Sequence, residues 1–162
     1  MSTIPASSPR TGSASAPAAA SIVIAAHNES AVISRCLDAL RDVIAGGTVQ
    51  VIVVCNGCND DTARIARSHA GVTVLELAVA SKVAALRAGD RIAPTGPRIY
   101  LDADVVMTSR AALAVVEALR PGRALAARPP IHFDSTGAGW AVRRWYVVRE
   151  RLPSIRTALW GA

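Results

Sequence analysis

Short apolar, β-branched runs alternate with amphipathic stripes from residue 21 to residue 119, and this alternation confines the chain to one fold class. Residues 21–26, 49–54, 72–77 and 99–101 read as strands. Residues 30–44 carry Val32, Ile33, Leu37, Leu40 and Ile44 as one helical stripe, closed by Gly46-Gly47. Residues 61–69 form a short helix behind Asn59 or Asp60 as N-cap. Residues 81–92 form a helix with Val83, Leu86 and Ile92 inward, and residues 109–119 a helix stopped by Pro121-Gly122. Residues 124–133 offer a further strand, interrupted by Pro129-Pro130. Apolar strands separated by helices imply an α/β fold: a mostly parallel sheet with helices on both faces. Ligands of such sheets bind at the carboxyl ends of the strands.

With 162 residues and 51% hydrophobic content, the chain can build the core of one domain. Three cysteines do not make a disulfide framework. At 4% aromatic content there are no rows of rings for nucleic-acid stacking, so no nucleic-acid partner is expected. The formal charge of +6 lies at one end. Residues 1–119 hold ten Lys/Arg and ten Asp/Glu, while residues 120–162 hold eight Arg against Asp134 and Glu150. Such a stretch is either a solvated face or an attraction for an anionic surface or phosphorylated ligand. Residues 1–20, dominated by Ser, Ala and Pro, read as a disordered tail. They lack the basic start of a signal peptide, and Pro17 breaks their apolar part. No apolar run reaches the ~20 residues of a membrane helix, so a cytoplasmic protein is expected.

The strand ends carry the chemistry. His27-Asn28-Glu29 follows the first strand, Cys55 to Asp61 the second, Ser81-Lys82 the third and Asp102-Ala103-Asp104 the fourth. In an extended segment Asp102 and Asp104 point to one side. Two carboxylates so placed suit a hard divalent cation that shares phosphate oxygens. Alternatively, Asp104 caps a following helix. Lys82 is a flexible counter-charge for a phosphate, or a solvated surface lysine. Asn28 is a candidate cap for the first helix, and Asn56-Gly57 forms a turn. His27 is a candidate for stacking or titration, or a satisfied loop residue. Cys55-x-x-Cys58 has the place of a redox dithiol, but Asp60 and Asp61 would raise its thiol pKa. No second cysteine pair completes a zinc site.

Together these strand ends resemble family 2 glycosyltransferases, the inverting enzymes of GT-A fold. The resemblance covers residues 21 to about 108 and runs through the first strand and His27-Asn28-Glu29, the 53–62 turn, the Lys82 helix and the Asp102-Ala103-Asp104 strand. It implies a GT-A-like domain over residues 21–162 that binds a UDP- or GDP-sugar and transfers the sugar to an acceptor hydroxyl with inversion. By that resemblance His27, Asn28, Glu29 and Asn56 hold nucleobase and ribose, and Lys82 sits near the nucleotide. Asp102 faces ribose or metal within the Asp102-Ala103-Asp104 donor segment, and Asp104 binds Mg²⁺ or Mn²⁺ on the diphosphate. Three positions depart from the family. Ala25 stands for a common proline, Asn56 for a common aspartate and Arg87 for a frequent asparagine.

In that family the acceptor half and the base carboxylate follow the Asp-x-Asp strand by many residues. Here residues 140–152 form an amphipathic helix with Ala141, Trp145, Val148 and Leu152 on one face, followed by Pro153. The expectation is therefore a donor-binding fragment whose base lies beyond Ala162. The helix either packs on the remainder or meets anionic lipid at the inner face of the membrane through its Arg residues, with Trp140, Trp145 and Tyr146 at the interface. Two rival readings are a non-catalytic nucleotide- or surface-binding module and a Cys55/Cys58 thiol-disulfide protein.

Overall fold

Residues 51–56 are buried without a break, so neither face of the strand they form meets water. Only a sheet covered on both sides meets that demand. The computed structural model, which describes residues 18–94 and 96–151, shows that sheet. In chain order the elements are β1 (Ala20–Ala26), α1 (Ile33–Ala39), α2 (Arg41–Gly46), β2 (Val49–Asn56), α3 (Thr62–Arg67) and β3 (Val72–Leu77). They continue with α4 (Lys82–Ile92), β4 (Arg98–Asp102), α5 (Ser109–Ala118) and α6 (Trp140–Arg151). The four strands lie in the order β3-β2-β1-β4, and every pairing is parallel.

Alternate strand residues divide the core into two layers. Ile22, Ile24, Val51, Val53 and Cys55 face α1, α2, α3 and α5, with Ile33, Leu37, Val43, Ala66 and Val115 packed on them. Val23, Ile52 and Val54 face the other way, onto Ala85 and Ala88 of α4. After β3 the chain therefore crosses to the opposite face and returns on the far side of β1. This places a topological switch between β1 and β4, where open α/β sheets leave a crevice.

Several sequence expectations are corrected. The 30–44 helix is two helices, broken at Leu40, with residues 30–32 in a turn. Ser109 ties the break to α5: its hydroxyl donates to Ala39 O at 3.2 Å and accepts from Val43 N at 3.4 Å. The inward face of α4 is Ala85, Ala88 and Gly89, while Val83 and Ile92 are exposed and Leu86 is half-buried. The reason is close approach: a Cβ on Gly89 would lie 2.4 Å from Val23 Cγ1, so the residues nearest the sheet are small and Leu86 packs beside them. Residues 124–133 form no strand. Ala20, read as tail, opens β1, and Ala19 N donates to Thr48 O at 2.9 Å. The rest of the tail reading, residues 1–17, lies outside the described residues.

Among the described residues no helix is long and apolar enough to cross a membrane. Helix α6 leaves Trp140, Val142, Trp145 and Val148 exposed. Its anchor is Tyr146, stacked on Phe133 at 4.8 Å, with Arg149 over the Phe133 ring at 4.7 Å. Leu152, expected on the same face as Trp145, lies outside the described residues.

Gly89→Ala tests the close approach of α4. Alanine adds ~1 kcal/mol of helix propensity, but a 2.4 Å contact with a stiff β-branched neighbour puts the packing strain at the upper end of ~1–3 kcal/mol. Urea unfolding should show a net loss of stability; a gain would contradict the packing described.

Candidate active site

The register of β1 sets the site. Ala26 pairs with Cys55 of β2, and Ala25 with Asp102 of β4. Continued past the strand ends, this register brings His27, Asn56 and Asp104 to one level, with Ala103 level with Ala26. Ser81 caps α4 by accepting from Ala84 N at 3.3 Å, which sets Lys82 on the first residue of the helix. Together these ends enclose a cleft of about 260 Å³ lined by Ala25, His27, Glu29, Asn56, Lys82, Asp102, Ala103 and Asp104.

Of the sequence-derived donor set, Asn28 alone does not line this cleft. It is not the cap of α1 either, since Val32 holds that position without a side-chain bond. Asn28 instead takes a left-handed φ of 55°, which Asn tolerates. Its Oδ1 accepts from Asn59 N at 2.8 Å, so it ties the loop after β1 to the loop after β2. Three further contacts strengthen that link. Thr62 Oγ1 accepts from Glu29 N at 2.8 Å and donates to Asp60 Oδ1 at 2.5 Å, while Asp60 Oδ2 accepts from Ser30 N at 3.1 Å. The N-cap of α3 is Asp61, without a side-chain cap bond, and not Asn59 or Asp60 as expected; Asp60, one residue earlier, accepts from Thr62 N at 3.0 Å through Oδ1. Sequence reasoning singled out Asp60 but missed Thr62, whose only signal was its place after the Asp60-Asp61 pair.

Asn56 is buried, and its Nδ2 donates to Ala26 O at 2.8 Å. Its own carbonyl accepts from His27 Nδ1 at 2.6 Å, a partner that assigns the Nδ1 proton. An aspartate at 56 would set a charged acceptor against the Ala26 carbonyl, so the carboxamide suits this strand pair.

Lys82 Nζ lies 2.5 Å from Asp102 Oδ1, with both side chains about half exposed. Asp104 does not cap the next helix: Thr108 does, accepting from Ala111 N at 3.2 Å. Asp104 stays on the cleft wall, and its charge adds to the burial that pushes the Cys36 thiol up to about 11. Among the described residues, no group of three or more His, Cys, Asp or Glu could hold a metal ion. Of the three cleft carboxylates, Asp102 and Asp104 nevertheless fit a Mg²⁺- or Mn²⁺-type ion, which takes one or two protein oxygens and fills the rest with water and phosphate.

The dithiol pattern has a structural role instead. Cys58 Sγ donates to Ala26 O at 3.5 Å and accepts from Asn28 N at 3.4 Å. The Cys55 thiol is pushed up to about 12, first by burial and then by the neighbouring Cys58, with Glu76 contributing. The cause is therefore the core and not the Asp60-Asp61 pair, and a thiolate at neutral pH is disfavoured.

With this geometry the class is defined: an α/β domain with a polar cleft at its switch point, lined by the carboxylates of Glu29, Asp102 and Asp104. The chain belongs to glycosyl transferase family 2, whose pattern matches residues 21–160. It is similar to glucosyl-3-phosphoglycerate synthase from Mycobacterium tuberculosis, solved with Mn²⁺, UDP and glucosyl-3-phosphoglycerate. That match covers 65% of this chain at 25% identity and a TM-score of 0.53. The same enzyme solved with UDP, and with Mn²⁺, UDP and phosphoglyceric acid, matches at the same identity and TM-score. This chain spans about 40% of that enzyme's length. No curated protein matches the sequence.

The Asp60 carboxyl is held well below the usual carboxylate range, chiefly by the Thr62 hydroxyl and then by Ser30. A lowered folded-state pKa gives stability that is complete above the unfolded value of ~3.9 and is lost as acid titrates the folded group. Asp60→Asn should therefore flatten the fall of stability below about pH 4 in denaturant titrations. An acid profile identical to wild type would contradict the role given to this network.

Proposed function

We propose that the domain binds the nucleoside diphosphate of a UDP- or GDP-sugar together with Mg²⁺ or Mn²⁺, and serves transfer of the sugar to an acceptor hydroxyl with inversion. The observation that carries this reading is the cleft itself. It gathers His27, Glu29, Asn56, Lys82, Asp102 and Asp104 from three strand ends and one helix start. Family membership and the likeness to a UDP- and Mn²⁺-bound enzyme support it.

In this reading the end of β1 and Asn56 receive the base and ribose. His27 presents its ring there, held by its Nδ1 bond to the Asn56 carbonyl. Lys82 supplies a cation for the diphosphate, and its long stem lets it follow the phosphate oxygens. Asp102 and Asp104 hold the divalent ion, which when bound neutralises charge developing on the leaving diphosphate. Ala103, buried between them, keeps the segment against the core. The attacking hydroxyl requires a base on the opposite face of the sugar. The cleft carboxylates described here are assigned to the donor side, so base and acceptor groups are proposed to lie outside the described residues.

Titration calorimetry with UDP tests the reading. Binding should require Mn²⁺, and Asp104→Ala should weaken it at least about tenfold, the order of one lost charge-assisted contact. Absence of UDP binding to wild type, or equal affinity in the variant, would contradict it.

A further inference from the structure

Lys82 is the only lysine in the chain, and its ammonium is already engaged, 2.5 Å from Asp102 Oδ1. Asp104 lines the same cleft, and among the described residues no cation pairs with it. The root of Lys82 is fixed by the Ser81 cap, whereas its side chain beyond the backbone is about half exposed to solvent.

We propose that Lys82 is a resident counter-ion: it bars a lone divalent cation from Asp102 and yields only to one that arrives with a diphosphate. Metal and nucleotide then bind as one unit. This rests on the donor-site reading above.

The argument is charge balance. With Lys82 in place the three groups sum to −1; without it they sum to −2. A lone dication would enter beside an ammonium bonded to one of its two carboxylates. Repulsion between +1 and +2 charges a few ångströms apart, even at water-like dielectric, weakens binding on the order of tenfold. A diphosphate removes the conflict, because Lys82 can turn from Asp102 to the phosphate oxygens and keep an anionic partner throughout. Asp102 is then released to the cation. By linkage each ligand raises the affinity of the other by the same factor. An ion pair this exposed adds little to folding, so replacing Lys82 should leave the structure intact.

The test follows free Mn²⁺ by electron paramagnetic resonance, with wild type and Lys82→Met, each with and without UDP. Lys82→Met should bind Mn²⁺ alone on the order of tenfold tighter than wild type. It should bind UDP more weakly, and the factor by which UDP raises Mn²⁺ affinity should shrink. Adding Asp104→Asn to Lys82→Met should remove the gain. A merely structural lysine would weaken both ligands together, so Mn²⁺ affinity equal to or below wild type overturns the inference. If the variant gains Mn²⁺ affinity while neither protein binds UDP, the barrier stands and the donor-site reading falls.

Discussion

β1 is paired on both sides, with β2 through Ala26 and Cys55 and with β4 through Ala25 and Asp102. A one-residue slip would turn Ile22 and Ile24 from the α1 and α5 layer toward α4, whose Gly89 already lies against Val23 with no room for a Cβ. The buried faces therefore lock the register, and the register places His27, Asn56 and the Asp102–Asp104 segment around one cleft. The polar site inherits its geometry from an apolar constraint.

Above the sheet, the loops need their own ties, because backbone groups there have left the ladder. Thr62, Asp60 and the Asn28 side chain take up Glu29, Ser30 and Asn59 amides, and Cys58 takes that of Asn28. These contacts join the ends of β1 and β2 within the chain itself, which lowers the ordering cost of the binding proposed above. The Lys82–Asp102 pair works differently. It offsets one of the negative charges of the cleft while leaving the ammonium on a flexible stem.

Strand and helix alternation was legible because β-branched runs such as residues 51–54 have few other homes. The strand-end rule then located nearly the whole cleft lining without a structure. What escaped the sequence depended on distance. Val83 and Ile92 were read as inward on hydrophobicity but are exposed, because α4 sits close to Val23 and turns Ala85, Ala88 and Gly89 inward; Leu86, also read as inward, packs partly buried beside them. Asn28 read as a cap because Asn often caps, whereas a left-handed φ sends its side chain to Asn59 across 31 residues. The break at Leu40 depends on Ser109, about 70 residues away, which no local periodicity reports. The helix read over residues 140–152 is present as α6 up to Arg151, yet Trp145 and Val148 of its apolar stripe are exposed among the described residues.

The central claim is that Asp102 and Asp104 hold a divalent ion against a diphosphate at the switch point of the sheet. Anomalous diffraction from crystals of the protein grown with UDP and Mn²⁺ measures this directly. The account predicts one manganese peak in contact with the Asp104 carboxylate and with phosphate oxygens, and Lys82 turned away from Asp102 toward the diphosphate. UDP bound in the cleft with the manganese elsewhere, or with Lys82 still on Asp102, would contradict it.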